Sequence, residues 1–309
     1  MKKVEPVRIW EDMKVSELVD SMGDAGFGAG KINRAAQIMG KMFSDEKCKV
    51  FVGLAGAMVP AGMKQIILDL LDDTDVLVTT GATLTHDLIE ALGDEHYLLE
   101  DSDGDFDDGS LNRKGFDRMY NVVMRNRVYE NLERFFVVNW EKFKECKTIK
   151  DIVWKIGELC PGTSEDCILK KCYKKKIPLF CPALADSGIG LMIWGRKASG
   201  KEIFIDAFED MKEIIDISWT ARKTGVIYVG GGVPKNFIQQ SLQFSKGADY
   251  GIQITADSPE PGGSSGAPLK EGISWGKLKK NADFADVRCD ATIALPLILG
   301  AVRGKSKKP

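Results

Sequence analysis

Short apolar runs recur along the chain, unbroken rather than alternating. Each leads into a glycine-rich or polar stretch and then, in most cases, a segment with helical spacing. Residues 50–54 (Val-Phe-Val-Gly-Leu) lead into Ala-Gly-Ala-Met-Val-Pro and a helix to Leu71. Residues 76–79 lead into 80–86 and a helix to Leu92, and residues 177–181 lead into 182–190. Residues 226–229 precede Gly230-Gly-Gly-Val-Pro234 and a helix to Phe244. Residues 250–254 run into a long Gly/Pro loop, and 287–289 into Asp290-Ala-Thr and a helix to Gly300. Strands apolar on both faces, each followed by a helix, predict a sheet covered on both sides. The expected fold is α/β, a Rossmann-like doubly wound and mainly parallel sheet.

The ends and the middle follow other patterns. Residues 1–45 read as an N-terminal helical extension, with Val15, Leu18, Val19 and Met22 on one face. A glycine turn at 25–30 precedes an expected helix over 31–43. Residues 46–303 read as one domain and 304–309 as a basic tail. The acidic run 100–109 reads as a connecting loop, since its spacing does not fit a calcium loop. Residues 110–176 are expected to add helices, including 116–129 and 151–159. In the helix 202–220, Ile203, Ala207, Met211, Ile214 and Trp219 form an expected core stripe.

Composition narrows the class. A chain of 309 residues with 44% hydrophobic content can bury a large core. A net charge of −2 supplies no field to recruit nucleic acid or an anionic membrane. The longest apolar run, 291–302, is too short to span a bilayer and contains Pro296, and the first residues lack a signal core. A soluble cytoplasmic protein is expected. The seven cysteines match no common zinc spacing, so no metal is expected. Gly195-Arg-Lys-Ala-Ser-Gly-Lys201 copies a phosphate loop but has Glu202 where magnesium needs Ser or Thr.

In such sheets ligands bind beyond the carboxyl ends of the strands. Gly230–Gly232 there could present amides to a pyrophosphate or simply make a tight turn. Asp186 and Asp290 could hold ribose hydroxyls or cap helices. After the loop 257–268 comes Glu271-Gly-Ile-Ser-Trp-Gly-Lys277, which combines an acid, an indole and an amine. That set suits a cationic, partly apolar substrate and covalent chemistry through a lysine imine. A solvated surface turn is the plainer alternative.

From residue 48 to 300 the chain resembles the deoxyhypusine synthases, in their shorter archaeal form. The residues that carry the likeness are Asp75-Val-Leu-Val-Thr-Thr-Gly81, Asp87-Leu-Ile89, Pro182-Ala-Leu184, Gly230-Gly-Gly-Val233, Gly247-Ala-Asp-Tyr250, Ser274-Trp-Gly-Lys277 and Asp290-Ala291. The resemblance implies an NAD-dependent transferase of hypusine biosynthesis. NAD takes a hydride from spermidine, 1,3-diaminopropane leaves, and the aminobutyl group passes to an enzyme lysine. The group then moves to a lysine of the hypusine-bearing translation initiation factor, a post-translational modification, and the hydride returns.

Carried over by position, Lys277 is the imine-forming lysine, and Trp275 and Glu271 line the amine site. Ala57, Met58, Val59, Pro60, Ala61, Thr80, Gly81, Ala82, His86, Asp186, Gly231, Ala256, Asp257, Asp290 and Ala291 are the implied NAD contacts. A homotetramer with sites across dimer interfaces is implied too. The sequence departs from the eukaryotic pattern at the amine tunnel. Asn236 and Ser264 stand in substrate-lining places where histidine and aspartate are usual. Thr85 and His86 replace glutamates, and Leu191 replaces an aspartate. Spermidine carries several charges whose desolvation without anions is costly. Those departures keep a second reading open, a homospermidine-synthase-like or agmatine-using transferase acting on small amines.

Overall fold

The computed structural model describes residues 1–100 and 106–305. Half of the acidic run, 101–105, and the end of the basic tail lie outside the described residues. The strands are β1 (Cys48–Leu54), β2 (Val76–Thr79), β3 (His96–Leu98), β4 (Phe116–Met119), β5 (Val122–Arg125), β6 (Leu179–Phe180), β7 (Lys223–Val229), β8 (Ala248–Thr255) and β9 (Leu278–Arg288). The chain divides into two compact units, Met1–Ala55 with Asp72–Val78 and Met211–Pro309, and Gly56–Leu71 with Thr79–Asp210. The main sheet has six strands. Five of them, in the order β2-β1-β7-β8-β9, fall wholly or largely in the first unit, and β6 belongs to the second.

In the first unit β1 pairs with β7, β7 with β8 and β8 with β9, all parallel. The central strands are buried on both faces: all of β2, and all but one residue of β1 and of β7. This is why their sequences run apolar without alternation. β9 is different. It lies at the end of the strand order and is only partly buried, with Lys279, Lys280, Asn281 and Asp283 in its first half. The sequence reading caught only its last residues for that reason.

The N-terminal segment joins this core. The helix Phe27–Ser44 buries Ile32, Ala35, Ile38, Met39 and Met42, and packs on β9 and on the helix Ala291–Lys305. It starts at Phe27, four residues earlier than expected, and takes in the glycines. At Gly30 a Cβ would stand 2.7 Å from the Ala25 carbonyl, so glycine lets the chain fold back tightly there. The first fourteen residues form no helix or strand, contrary to the helical expectation for all of 1–45.

The second unit carries the helices Lys64–Leu70, Gly81–Ala91, Val128–Phe143, Ile149–Leu159, Ile168–Lys175 and Gly188–Ala198. It also holds the antiparallel sheet β3-β5-β4. The expected helix over 116–129 is instead the β4–β5 hairpin, followed by the start of a helix at Val128. Tyr120 and Asn121 make its two-residue turn, with Tyr120 at φ 53°. The expected core stripe along 202–220 is also broken. The helix is Ala207–Thr220, and Ile203 and Ile214 are buried, but Trp219 is 62% exposed. Among the described residues no helix is long and apolar enough to cross a membrane.

Candidate active site

The first unit places several expected residues at the carboxyl ends of its strands. β7 leads into Gly230 (φ 77°) and Gly231, and the helix Gly232–Gln243 follows, opening on Gly232 (φ 59°). A Cβ on Gly231 would collide with the backbone of Ser265, so glycine is required there by a close chain-to-chain approach. Space in front of Gly232 is open. Ala256 and Asp257 are exposed past β8, where Asp257 N–H donates to Thr255 Oγ1 at 3.1 Å. Past β9, exposed Asp290 accepts from Thr292 N–H at 2.7 Å and from the Thr292 hydroxyl at 2.8 Å. Asp290 is thus an N-cap, with Ala291 opening the helix behind it.

The Gly/Ser loop after β8 is fastened from beneath. Lys235, 1% exposed, donates from Nζ to the carbonyls of Ser264 and Ala267, both at 2.6 Å. Gln253, also 1% exposed, donates to the Ser265 carbonyl at 2.9 Å. Burial pulls the Lys235 amine down to about 8, against the opposing pull of Asp286 and Glu271. Lys235 and Gln253 are functional-looking residues that sequence reading missed. A lysine in a first helical turn reads as surface, and only the fold shows it turned inward.

From this loop the chain passes through a short 3-10 turn, Leu269–Ile273, tied to β9 by Leu269 N–H donating to Asp286 Oδ1 at 3.0 Å. Ser274 donates from Oγ to the Glu271 carbonyl at 2.8 Å, and Lys277 N–H to the Gly272 carbonyl at 2.9 Å. Gly276 takes φ 72°, which a side chain would strain. The Lys277 amine lies 5.0 Å from the centre of the Trp275 ring, within cation–π range. Trp275 is 57% exposed, Glu271 is exposed, and among the described residues no carboxylate pairs with the Lys277 amine.

Lys277 immediately precedes β9, and its carbonyl accepts from Ala248 N–H at the start of β8. The carboxyl-end residues lie past the other end of β8, eight residues away, roughly 26 Å at the usual strand rise. Within the first unit Lys277, Trp275 and Glu271 therefore form one cluster. Gly231, Ala256, Asp257, Asp290 and Ala291 follow the carboxyl ends of their strands, and the Lys235-fastened loop links the two groups, abutting Gly231 at Ser265 while Glu271 and Lys277 act on the Lys235 charge. Asn236 lies half-buried in the first turns of the helix behind Gly232, and Ser264 lies half-buried in the fastened loop.

The second unit holds the remaining residues. Ala57 and Ala61 are exposed, and Met58, Val59 and Pro60 are buried in the turn before Lys64–Leu70. Thr80 caps the helix Gly81–Ala91 by accepting from Thr83 N–H at 3.2 Å. A Cβ on Gly81 would come 2.5 Å from Ser187, so this N-terminus abuts that of Gly188–Ala198. Ala82 and Asp186 are exposed beside it. Thr85, in a glutamate's place, is buried: its hydroxyl donates to the Gly81 carbonyl at 2.8 Å and accepts from Ile189 N–H at 3.1 Å. It fastens two helices and, being neutral, offers no charge to a cationic amine.

His86 enters a polar chain that spacing did not reveal. Its Nδ1 lies 2.9 Å from His96 Nε2, His96 Nδ1 lies 2.8 Å from Glu90 Oε1, and Glu90 Oε2 pairs with Lys64 at 2.5 Å. Burial, with His96 beside it, pulls His86 down to about 4. The imidazole is neutral at neutral pH and can exchange only a hydrogen bond with a ligand.

The sequence model of the family described as deoxyhypusine synthase matches residues 17–302. The chain is 43% identical over 309 residues to "Probable deoxyhypusine synthase 1" of Methanosarcina acetivorans, covering 99% of this chain and 96% of that protein. It is 40% identical over 298 residues to the protein of the same name from Archaeoglobus fulgidus, covering 96% of each. A crystal structure from Entamoeba histolytica assigned to deoxyhypusine synthase superposes with a TM-score of 0.63 at 19% identity, covering 96% of this chain and 95% of that one. Its low identity speaks to the fold alone. With most of its length matched by the family model and relatives above 40% identity over nearly the whole chain, the protein belongs to the deoxyhypusine synthase family.

Proposed function

We propose that the protein transfers the aminobutyl group of spermidine, through Lys277, to a lysine of the hypusine-bearing translation initiation factor in the cytoplasm. The observation that carries this reading is the Ser274-Trp-Gly-Lys277 turn. It presents an amine beside an indole, without a carboxylate partner, on a turn closed by its own hydrogen bonds. A carrier amine must lose its proton and remain free to attack, and a salt bridge would oppose both. Attack on the oxidised, imine form of the donor expels 1,3-diaminopropane and leaves the four-carbon unit on Lys277 as an imine. Attack by the factor's lysine then releases Lys277. Trp275 supplies an apolar wall against the substrate's methylenes, and Glu271 an anion for its terminal ammonium.

NAD is the implied cofactor, and its role when bound is to accept a hydride and return it. The residues fit such a group. Gly232 faces open space at a helix N-terminus, and the exposed side chains around it are small or acidic: Ala256, Asp257, Asp290. Amides there suit phosphate oxygens, and carboxylates suit ribose hydroxyls. Gly231 and Ala291 are assigned to the same set, and the family pattern adds residues 57–61, Thr80, Gly81, Ala82, His86 and Asp186.

A homotetramer with shared sites follows from the same proposal. Two observations support it. The backbone of Lys277 and the carboxyl-end residues stand at opposite ends of β8, an arrangement compatible with a site completed by a second copy. Large apolar side chains also stand exposed, among them Trp194, Phe204 and Phe208.

The test is the intact mass of the translation factor after incubation with enzyme, NAD and spermidine. A gain of one aminobutyl unit, absent with Lys277→Ala while NAD still binds, supports the proposal. An unchanged mass refutes it. One feature favours a second reading: the amine-site places hold Asn236, Ser264, Leu191 and the buried Thr85 in place of ionisable groups. Appearance of a free polyamine with putrescine as acceptor, and no change in the factor, would move the assignment to small-amine metabolism.

A further inference from the structure

The second unit contains a thiol pair that the transfer reaction does not use. Cys160 ends the helix Ile149–Leu159, and Cys167 caps the helix Ile168–Lys175. Their sulfurs are 3.7 Å apart, at 2% and 0% exposure. Closing that gap to a disulfide bond needs a sulfur movement of under ~2 Å. Beneath the pair lies Asp87, a wholly buried carboxylate. Its Oδ2 stands 3.3 Å from the Cys167 sulfur, and it accepts from Ile168 N–H at 3.0 Å and Leu169 N–H at 2.8 Å.

We propose that Cys160 and Cys167 form a thiol–disulfide exchange site, with small-molecule disulfides as its reactant and Asp87 as the proton acceptor. The two sulfurs are not equivalent. Cys167 donates its S–H to Asp87 Oδ2, so that carboxylate opposes a thiolate at Cys167 directly, whereas the Cys160 sulfur lies against the Gly157 carbonyl and the Cys167 sulfur. Cys160, burial and the Asp87 carboxylate together raise Cys167. Cys160 is therefore the first nucleophile.

Its thiolate attacks one sulfur of RS–SR, forming a mixed disulfide and releasing RS⁻. Cys167 passes its proton to Asp87 and attacks the Cys160 sulfur, releasing the second RS⁻. The two released thiolates become thiols by taking the two protons that left Cys160 and Cys167. Two protein thiols are oxidised and one external disulfide is reduced to two thiols.

Access is local. Residues 161–166 bridge the pair, and Pro161, Gly162, Thr163, Glu165 and Asp166 are exposed. The side-chain bonds of this bridge are internal, with Thr163 N–H donating to Asp166 Oδ1 and Glu165 N–H to Thr163 Oγ1. The bridge can therefore open without unpacking either helix.

The experiment uses the full-length reduced protein in buffers of increasing oxidised-to-reduced glutathione ratio, quenched with acid, alkylated and digested with trypsin. Cleavage after Lys155 and Lys170 leaves both cysteines on one peptide, residues 156–170. The expected result is that this peptide becomes two hydrogen masses lighter and loses both alkyl labels. The reduced form should return with dithiothreitol, and Asp87→Asn should slow closure while leaving the final ratio-dependence in place. Full alkylation of both thiols at every ratio overturns the proposal. So does a disulfide that joins either thiol to Cys172, or a stable glutathione adduct on Cys160. The wild-type measurement decides the matter even if the Asp87 variant fails to fold.

Discussion

At the scale of single residues, the side chains that the fold buries are as informative as those it exposes. His86 is held neutral by burial and by His96, with a folded value near 4 against an ordinary value near 6.5. The unfolded chain binds the extra proton between those limits. The stability that comes from a neutral His86 is therefore complete above about pH 6.5 and is lost as pH falls toward 4, by up to about 3 kcal/mol. Asp87 acts in the opposite sense. Burial raises it to about 6, so it costs stability as pH rises from 3.8 through 6. Since the two partly cancel in the wild type, the informative quantity is a difference. Urea unfolding of wild type and His86→Gln, at about pH 7 and about pH 4.5, should show the wild type losing about 2 kcal/mol more on acidification. Equal losses in the two proteins would mean that His86 is solvated and able to take a proton.

Elements set where the chemistry stands. The loop between β8 and β9 owes its form to two buried polar side chains beneath it, Lys235 and Gln253. Lys235→Met keeps the aliphatic stem and removes both donors, leaving two carbonyls to find water. A loss of about 1–3 kcal/mol is expected, with faster amide hydrogen exchange confined to the segment around residues 258–268. Exchange that stays unchanged there would show that the loop holds without the lysine. The element scale is also where reading the sequence succeeded unevenly. Buried strands such as β1, β2 and β7 are legible because both faces are apolar. β9 and the β4–β5 hairpin are not, because a half-exposed strand with charges resembles loop or helix over a short window. Missing β9 hid the fact that Lys277 stands before a strand rather than after one.

For the molecule as a whole, the proposed sharing of sites between copies makes a specific, testable demand. If the site is shared between copies, Lys277→Ala and Asp257→Ala should each be inactive or nearly so alone. Co-expressed, they should recover about a quarter of wild-type activity, because half of the pairs are mixed and each mixed pair keeps one intact site. No recovery in verified mixed oligomers would place lysine and cofactor contacts on the same chain. Light scattering of the wild type gives the companion result: an oligomer, which Trp194→Asp should weaken if the exposed aromatics of the second unit form a contact.

The sequence by itself determined the alternation of buried strand and helix, and with it the mainly parallel sheet. Those features are written in local periodicity, which each segment carries alone. It also identified the Ser274-Trp-Gly-Lys277 stretch, through its likeness to a family to which the chain does belong. Tertiary structure alone decided which polar residues turn inward. Lys235, Thr85, Asp87 and the His86–His96 pair have the composition of surface or ligand residues. Their hydrogen-bond partners lie far along the chain or on another face of the helix, so no local pattern marks them. The same holds for the end of the sheet at which Lys277 stands. It depends on the parallel crossover from β8 to β9, a long-range pairing whose polar edge strand leaves little trace in the order of its residues.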